Sequence, residues 1–210
     1  MVNFEHYWFR DRTQIIWEKH LADLHINSYL EIGVNEGASM RWVLENLKPS
    51  VAVGVDVWRD PKNKQHEKFA KYKINCEQNL KPWLDDGTLT LVQSTSLDYF
   101  CSHISSQDTF DLIYIDGDHG GYEGMLDMLL AYQFLAKNTG EMPLQSIDSR
   151  GRPNPVTPTG GIMVIDDLHR RFHFGKPLVG IAAWMVDFLM LGKLHKLWQD
   201  GRQLAFIRVD

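Results

Sequence analysis

The stretch FDLIYIDGDHGGYEG, residues 110–124, carries the apolar run Leu112-Ile113-Tyr114-Ile115 straight into Asp116, Asp118 and His119. Further along, GGIMVIDDLHRR repeats the pattern: an apolar run ends in Asp166, Asp167 and His169. Carboxylates in such a group can hold a hard cation or orient a hydroxyl. An imidazole that titrates near neutrality can take the proton of an attacking hydroxyl. A third stretch, YLEIGVNEGAS, ends an apolar run in Glu31-Ile32 and then supplies Gly33 and Gly37 ahead of Ser39. Glycines there let the backbone approach a ligand closely and aim the N–H groups of a following helix at it. The next apolar run, VAVGVDVW, ends in Asp56, about where an α/β fold places a carboxylate on a ribose. A plainer reading gives both glycines to a tight turn and Asp56 to a helix cap.

These residues need elements that bring them together. Strand-like runs recur at Tyr29–Val34, Val51–Val57, Leu89–Ser94, Asp111–Ile115 and Ile162–Ile165. Several are apolar at consecutive positions, as expected of strands covered on both faces. Helical spacing lies between most of them. Met40, Val43, Leu44 and Leu47 follow i, i+3, i+4, i+7, with Ser39 placed to cap. Tyr122–Lys137 is a second helix, and Val179–Leu191 a third, apolar nearly all round and therefore expected in the core. Thr13–Leu24 forms a leading helix within an N-terminal cap spanning 1–27. Alternating strands and helices mean parallel pairing and a three-layer α/β sandwich. The end departs from that rule. HKLWQDGRQLAFIRV holds two alternating strands joined around Asp200-Gly201, a hairpin signal that adds one reversed strand. The segment 139–159 is too polar and too rich in Pro and Gly to be an element, and reads as an inserted loop.

Composition bounds the rest. The 210 residues suit one domain with a full core. Hydrophobic content of 44% and charged content of 23% are those of an ordinary globular chain. A net charge of −5 argues against an electrostatic nucleic-acid binder, which carries a basic face. Cys76 and Cys101 form neither a disulfide framework nor a metal-ligand spacing, and fit thiols in a reducing compartment. The longest apolar candidate for a membrane span, GIAAWMVDFLMLG, is short and interrupted by Asp187. The N-terminal MVNFEHYWFRDR lacks the pattern of a signal peptide, so a cytoplasmic location is expected.

The form acid-x-Gly-x-x-x-Gly over Glu31–Gly37 resembles the first motif of the class I S-adenosylmethionine-dependent methyltransferases. The wording IDGDHGGYEG…GG…VIDD resembles their family-24 methyltransferase domain and, more distantly, metal-dependent O-methyltransferases. The likeness runs from about Thr13 to Asp210. It implies a three-layer Rossmann-like fold of seven strands, mainly parallel, in the order 3-2-1-4-5-7-6 with strand 7 antiparallel. It also implies S-adenosyl-L-methionine as cofactor, bound by Glu31, Gly33, Asn35, Gly37, Ser39, Asp56 and Val57, with Thr95, Ser96 and Asp116 near it.

In that topology Asp116 lies beside Asp166 and Asp167, and three carboxylates so close repel one another unless something positive lies between them. The resemblance makes that a divalent cation, Mg²⁺ or Ca²⁺, held by Asp116, Asp166 and Asp167. A site without metal, its acids binding substrate or the cofactor amine, is the alternative. Catechol-type relatives place a lysine base where this chain has His119, so the base is expected among His119, then His169, then Asp118. The reaction expected is O-methylation of a small hydroxylated acceptor, a sugar or phenol, with no nucleic-acid or membrane partner and with room for a homodimer. A non-catalytic cofactor binder and a nicotinamide oxidoreductase are the rivals. The latter would carry a GxGxxG turn, which is absent here.

Overall fold

The computed structural model describes residues 4–6, 9–59, 66–117, 120–139, 160–168 and 178–210. A π-helical turn, Phe9–Thr13, leads into α1 (Gln14–His20). Then follow β1 (Ser28–Ile32), α2 (Ala38–Asn46), β2 (Val51–Asp56), α3 (His66–Asn79), α4 (Lys81–Asp85) and β3 (Leu89–Gln93). The second half holds α5 (Ser96–His103), β4 (Leu112–Ile115), α6 (Gly121–Gln133), β5 (Ile162–Ile165), α7 (Leu178–Leu189), β6 (Leu194–Asp200) and β7 (Gln203–Arg208).

The seven strands form one sheet in the order β3-β2-β1-β4-β5-β7-β6, as the resemblance implies. All pairs are parallel except those of β7, which runs antiparallel to both β5 and β6. All four residues of β4 and of β5 are buried, which explains their unbroken apolar runs. Alternation along the strands divides the core into two layers. Tyr29, Tyr114, Val164 and Ala205 face a layer with Trp17, Met40 and Val43, whereas Leu30, Ile113, Met163 and Phe206 face one with Phe100 and Met128. Trp17 meets Tyr114 edge-on, with ring centroids 4.8 Å apart, and so packs α1 beneath the end of β4.

The structure departs from the sequence expectations in three places. Helix α7 is not a buried core helix. Val179, Ala182, Ala183 and Val186 form its packed stripe, but Trp184 is 69% exposed and Phe188 71%. Among the described residues nothing covers that outer face. Ser39 does not cap α2: Gly37 occupies the cap position at φ 83°, and among the described residues no side chain caps the helix. Helix α3 was not legible because it is polar, with Tyr72 and Cys76 as its fully packed apolar residues. Most of the expected insertion, 140–159, lies outside the described residues.

The turn after β3 starts α5 with a true cap. Thr95 Oγ1 accepts from the Asp98 N–H at 3.0 Å and donates to the Asp98 carboxylate at 2.7 Å. Thr95→Ala is therefore expected to cost about 1 kcal/mol of unfolding free energy, read by urea denaturation. An unchanged midpoint would remove the cap from the account of this turn.

Candidate active site

Strand β1 pairs with β2 on one side and β4 on the other, and the crossovers diverge from it. This topological switch opens a crevice at the carboxyl ends of β1 and β4, where α/β sheets take their ligands. The loop after β1 is built to be thin. Gly33 stands at φ 94°, and a Cβ there would lie 2.2 Å from the carbonyl oxygen of Asp116. The ends of β1 and β4 thus touch through backbone. Asn35 follows at φ 51° and Gly37 at φ 83°, where a Cβ would meet Leu80 Cδ1 at 2.8 Å.

Asp56 ends β2 and braces this loop. Its Oδ2 accepts the Asn35 N–H at 2.9 Å, and its Oδ1 the Trp58 N–H at 2.7 Å. Trp58 Nε1 returns a bond to the Asn35 carbonyl at 2.8 Å. Burial raises the Asp56 pKa, against the backbone donors that favour its charge. The Val57 carbonyl accepts from Gln93 Nε2 at 3.1 Å, and the Ser94 N–H bonds the Asp56 carbonyl at 3.0 Å. Thr95 and Ser96 therefore stand beside the end of β2, although the Thr95 hydroxyl is spent on its cap.

Glu31 is fully buried beneath the loop. It accepts from the Tyr29 hydroxyl at 2.7 Å and from the Ser39 hydroxyl. Burial pushes its pKa up to about 8, although both hydroxyls favour the charged form. Glu36, also buried, ties down the N-terminal segment. It accepts the N–H groups of Glu5 and His6, at 3.1 and 3.2 Å, and Asn75 Nδ2 at 2.8 Å. The cleft runs between His6 and Phe9 on one side and Gly33, Asp116, Asp166 and Arg202 on the other.

The acids at the ends of β4 and β5 meet there, with a partner the sequence reading did not name. Arg202 Nε lies 2.9 Å from Asp166 Oδ1, and its two terminal nitrogens reach Asp166 Oδ2 and Asp167 Oδ1, each at 3.2 Å. Tyr114 donates to Asp166 Oδ2 at 2.7 Å and stands 3.3 Å from Asp116 Oδ2. Asp167 sits at φ 57°, a left-handed conformation that Asp tolerates better than most residues, and donates its N–H to Asp166 Oδ1 at 2.7 Å. Burial and then the neighbouring acids hold the Asp116 carboxyl well above the usual range. Burial also raises Asp166, with Arg202 opposing it most.

Arg202 is the second residue of the two-residue β6–β7 loop, after Gly201 at φ 53°. Its signal was in the hairpin. Because β7 is antiparallel to β5, pairing Leu204 with Ile165, the start of β7 must lie at the carboxyl end of β5. Asp118, His119 and His169, the expected bases, lie outside the described residues.

A sheet of this order, with a glycine loop on β1, an acid on β2 and a reversed β7, defines the class I methyltransferase fold. Residues 30–140, just over half the chain, match the family model described as a methyltransferase domain, family 24. The chain belongs to that family and is an S-adenosylmethionine-dependent methyltransferase. No curated protein matches it in sequence. Among solved structures it is similar to an O-methyltransferase from Bacillus cereus in complex with S-adenosylhomocysteine, with TM-score 0.57 and 15% identity over 88% of this chain and 74% of that one. An O-methyltransferase of tomaymycin synthesis from Streptomyces achromogenes, bound to S-adenosylmethionine, gives 0.56 and 13% over 89% and 74%. A methyltransferase from Podospora anserina, bound to S-adenosylhomocysteine, gives 0.54 and 14% over 88% and 73%. Among the described residues, no helix is long and apolar enough to cross a membrane.

Proposed function

We propose that this chain methylates a hydroxyl oxygen of a small acceptor held at the carboxyl ends of β4 and β5, in the cytoplasm, where Cys76 and Cys101 stay free thiols. The observation that carries the reading is the contact between Gly33 and the Asp116 backbone, with Asp56 braced against the same loop. When bound, S-adenosylmethionine supplies an electrophilic methyl group on a sulfonium that leaves as a neutral thioether. The residues present fit it. The left-handed loop leaves no side chain between backbone and ligand at Gly33, and the lone pairs of Asp56 that the loop does not use can accept ribose hydroxyls. The N–H groups of the first turn of α2 are open to an anionic group.

The cation implied by the resemblance fits less well. Asp166 accepts three hydrogen bonds, from an Arg202 terminal nitrogen, Tyr114 and the Asp167 N–H, and Arg202 Nε adds an ion-pair contact at 2.9 Å, so a protein cation already stands against the acid. The work left to the chain is positioning: an acceptor hydroxyl must face the methyl carbon in line, and a base must take its proton.

Calorimetric titration with S-adenosylhomocysteine tests the proposal. Native protein is expected to bind it in the micromolar range, and Asp56→Ala to weaken binding at least about tenfold, the loss of one or two charge-assisted hydrogen bonds. Absence of binding to the native protein would sink the reading. Binding without methyl transfer to any sugar, phenol or small hydroxy acid would turn the chain into a cofactor-binding protein.

A further inference from the structure

Three carboxylates at the ends of neighbouring strands need a counter-charge, and the sequence left open what supplies it. The structure contains a protein-borne answer. The Arg202 guanidinium spans Asp166 and Asp167, with three nitrogens at 2.9–3.2 Å from their oxygens, and one of those nitrogens also donates to Thr13 Oγ1 at 3.2 Å. Tyr114 joins the network from below, supported by Gln203 Nε2 at 3.4 Å from its hydroxyl oxygen, and Trp17 Nε1 holds Gln203 Oε1 at 3.0 Å. The arrangement is fixed from both ends. The Leu168 N–H bonds the Arg202 carbonyl at 2.9 Å, so the loop that carries the guanidinium is tied to the residue after the acid pair.

We infer that this methyl-transfer site works without a divalent cation, and that the Arg202 guanidinium stands where the family resemblance puts the metal. Two chemical facts separate the occupants. Guanidinium keeps its charge at every working pH and matches a carboxylate with a planar fork. A hard cation needs the same carboxylate oxygens, and a guanidinium already ion-paired with both Asp166 and Asp167 repels a second positive charge from that place. A cation could enter only after Arg202 left, and Asp166, 2% exposed, would then lose its partner in the core. The consequence concerns how acceptor recognition works. With no metal to chelate two adjacent oxygens, the site has no built-in demand for a vicinal diol, and acceptors with a single hydroxyl are admitted.

This inference rests on the methyl-transfer reading, but its test does not. Manganese, an oxygen-seeking stand-in for magnesium, is titrated into the full chain while the free-ion signal is followed by electron paramagnetic resonance. Native protein is expected to bind no Mn²⁺ at the strand ends below millimolar concentration, and its affinity for S-adenosylhomocysteine is expected to change less than about twofold between EDTA and Mg²⁺. Glu5, His6 and Glu36 bring ligand atoms within 4.8 Å of one another, so a control is needed. Binding that disappears in Glu36→Gln and persists in Asp166→Asn belongs to that group and leaves the inference standing. Binding that persists in Glu36→Gln and disappears in Asp166→Asn would overturn it. Arg202→Ala is expected to lower the melting temperature and to gain one Mn²⁺ site that partly restores it. If that variant does not fold, Arg202→Lys serves: it keeps the charge and should stay free of Mn²⁺. If S-adenosylhomocysteine fails to bind at all, the methyl-transfer reading falls, and the manganese result still reports which counter-charge the acids use.

Discussion

Gly33→Ala is expected to cost about 2–5 kcal/mol of stability, from a left-handed backbone of about 1–2 kcal/mol and an overpacked contact of about 1–3 kcal/mol. The new Cβ would sit 2.2 Å from the Asp116 carbonyl oxygen and 2.5 Å from its carbon. Both are backbone atoms just after the end of a central strand, held by the Asp116 N–H bond to the Ile32 carbonyl at 2.8 Å, so neither can turn aside. The ends of β1 and β4 must separate, although Glu31 and Ile32 are in register with Tyr114 and Ile115 just before them. S-adenosylhomocysteine binding is expected to vanish with the loop's shape. Gly192 is the control, because it has φ 79° but, among the described residues, no atom within 4 Å of its built Cβ. Gly192→Ala should therefore show the backbone cost alone, about 1–2 kcal/mol. Guanidinium melts of the two variants decide. Equal losses would mean that the strand contact contributes nothing beyond the conformation.

The pH dependence of stability is expected to change most on Glu31→Gln. Burial raises the Glu31 pKa from 4.5 to about 8, with the Ser39 and Tyr29 hydroxyls opposing and Asp56 adding to the rise. The folded chain then holds this proton where the unfolded chain has lost it. Between pH 4.5 and about 8 the native state binds more protons, so the Glu31 contribution makes stability fall as pH rises, and the fall levels off above about 8. The full swing is on the order of 5 kcal/mol from a shift of this size. Glutamine keeps an acceptor and removes the titration, so the variant is expected to lose that slope and to exceed the native protein at pH 9. Urea denaturation at intervals from pH 5 to pH 9 measures it. Parallel profiles for the two proteins would show that Glu31 does not hold a proton in this range.

Much of the site was legible because its signals were local. Glu31, Gly33, Gly37 and Asp56 stand at or just after strand ends that the apolar runs delimit, and the fold brings Gly33 against Asp116, a contact no local signal announces. Arg202 was missed because its role depends on a pairing that joins residues far apart in the chain. The hairpin signal by itself gives only a topological ending, and Arg202 reaches the acid pair through the direction in which β7 pairs with β5. Helix α7 misled for a different reason. Apolar residues on every face predict burial, but only a sheet edge and α6 were there to receive them, and Trp184 and Phe188 were left outward. Hydrophobicity reports what a residue would prefer, and the number of neighbouring layers decides what it obtains. Helix α3 shows the converse, a real element whose packed stripe is too narrow to stand out among Lys, Glu and Asn.

The placement of β7 also sets the order in which this molecule can be assembled. β7 lies between β5 and β6, so β5 keeps an unpaired edge until residues 203–208 have been synthesised and inserted. Until that moment Asp166 and Asp167 have no Arg202, and Tyr114 has no Gln203. A chain in which β5 formed first would present an open strand edge flanked by repelling carboxylates. Such an edge invites pairing with other chains, and the charge beside it discourages the same event. The acids of the site would thus double as gatekeepers for as long as the sheet is unfinished, and pairing of β7 with β5 removes both the open edge and the unbalanced charge in one step.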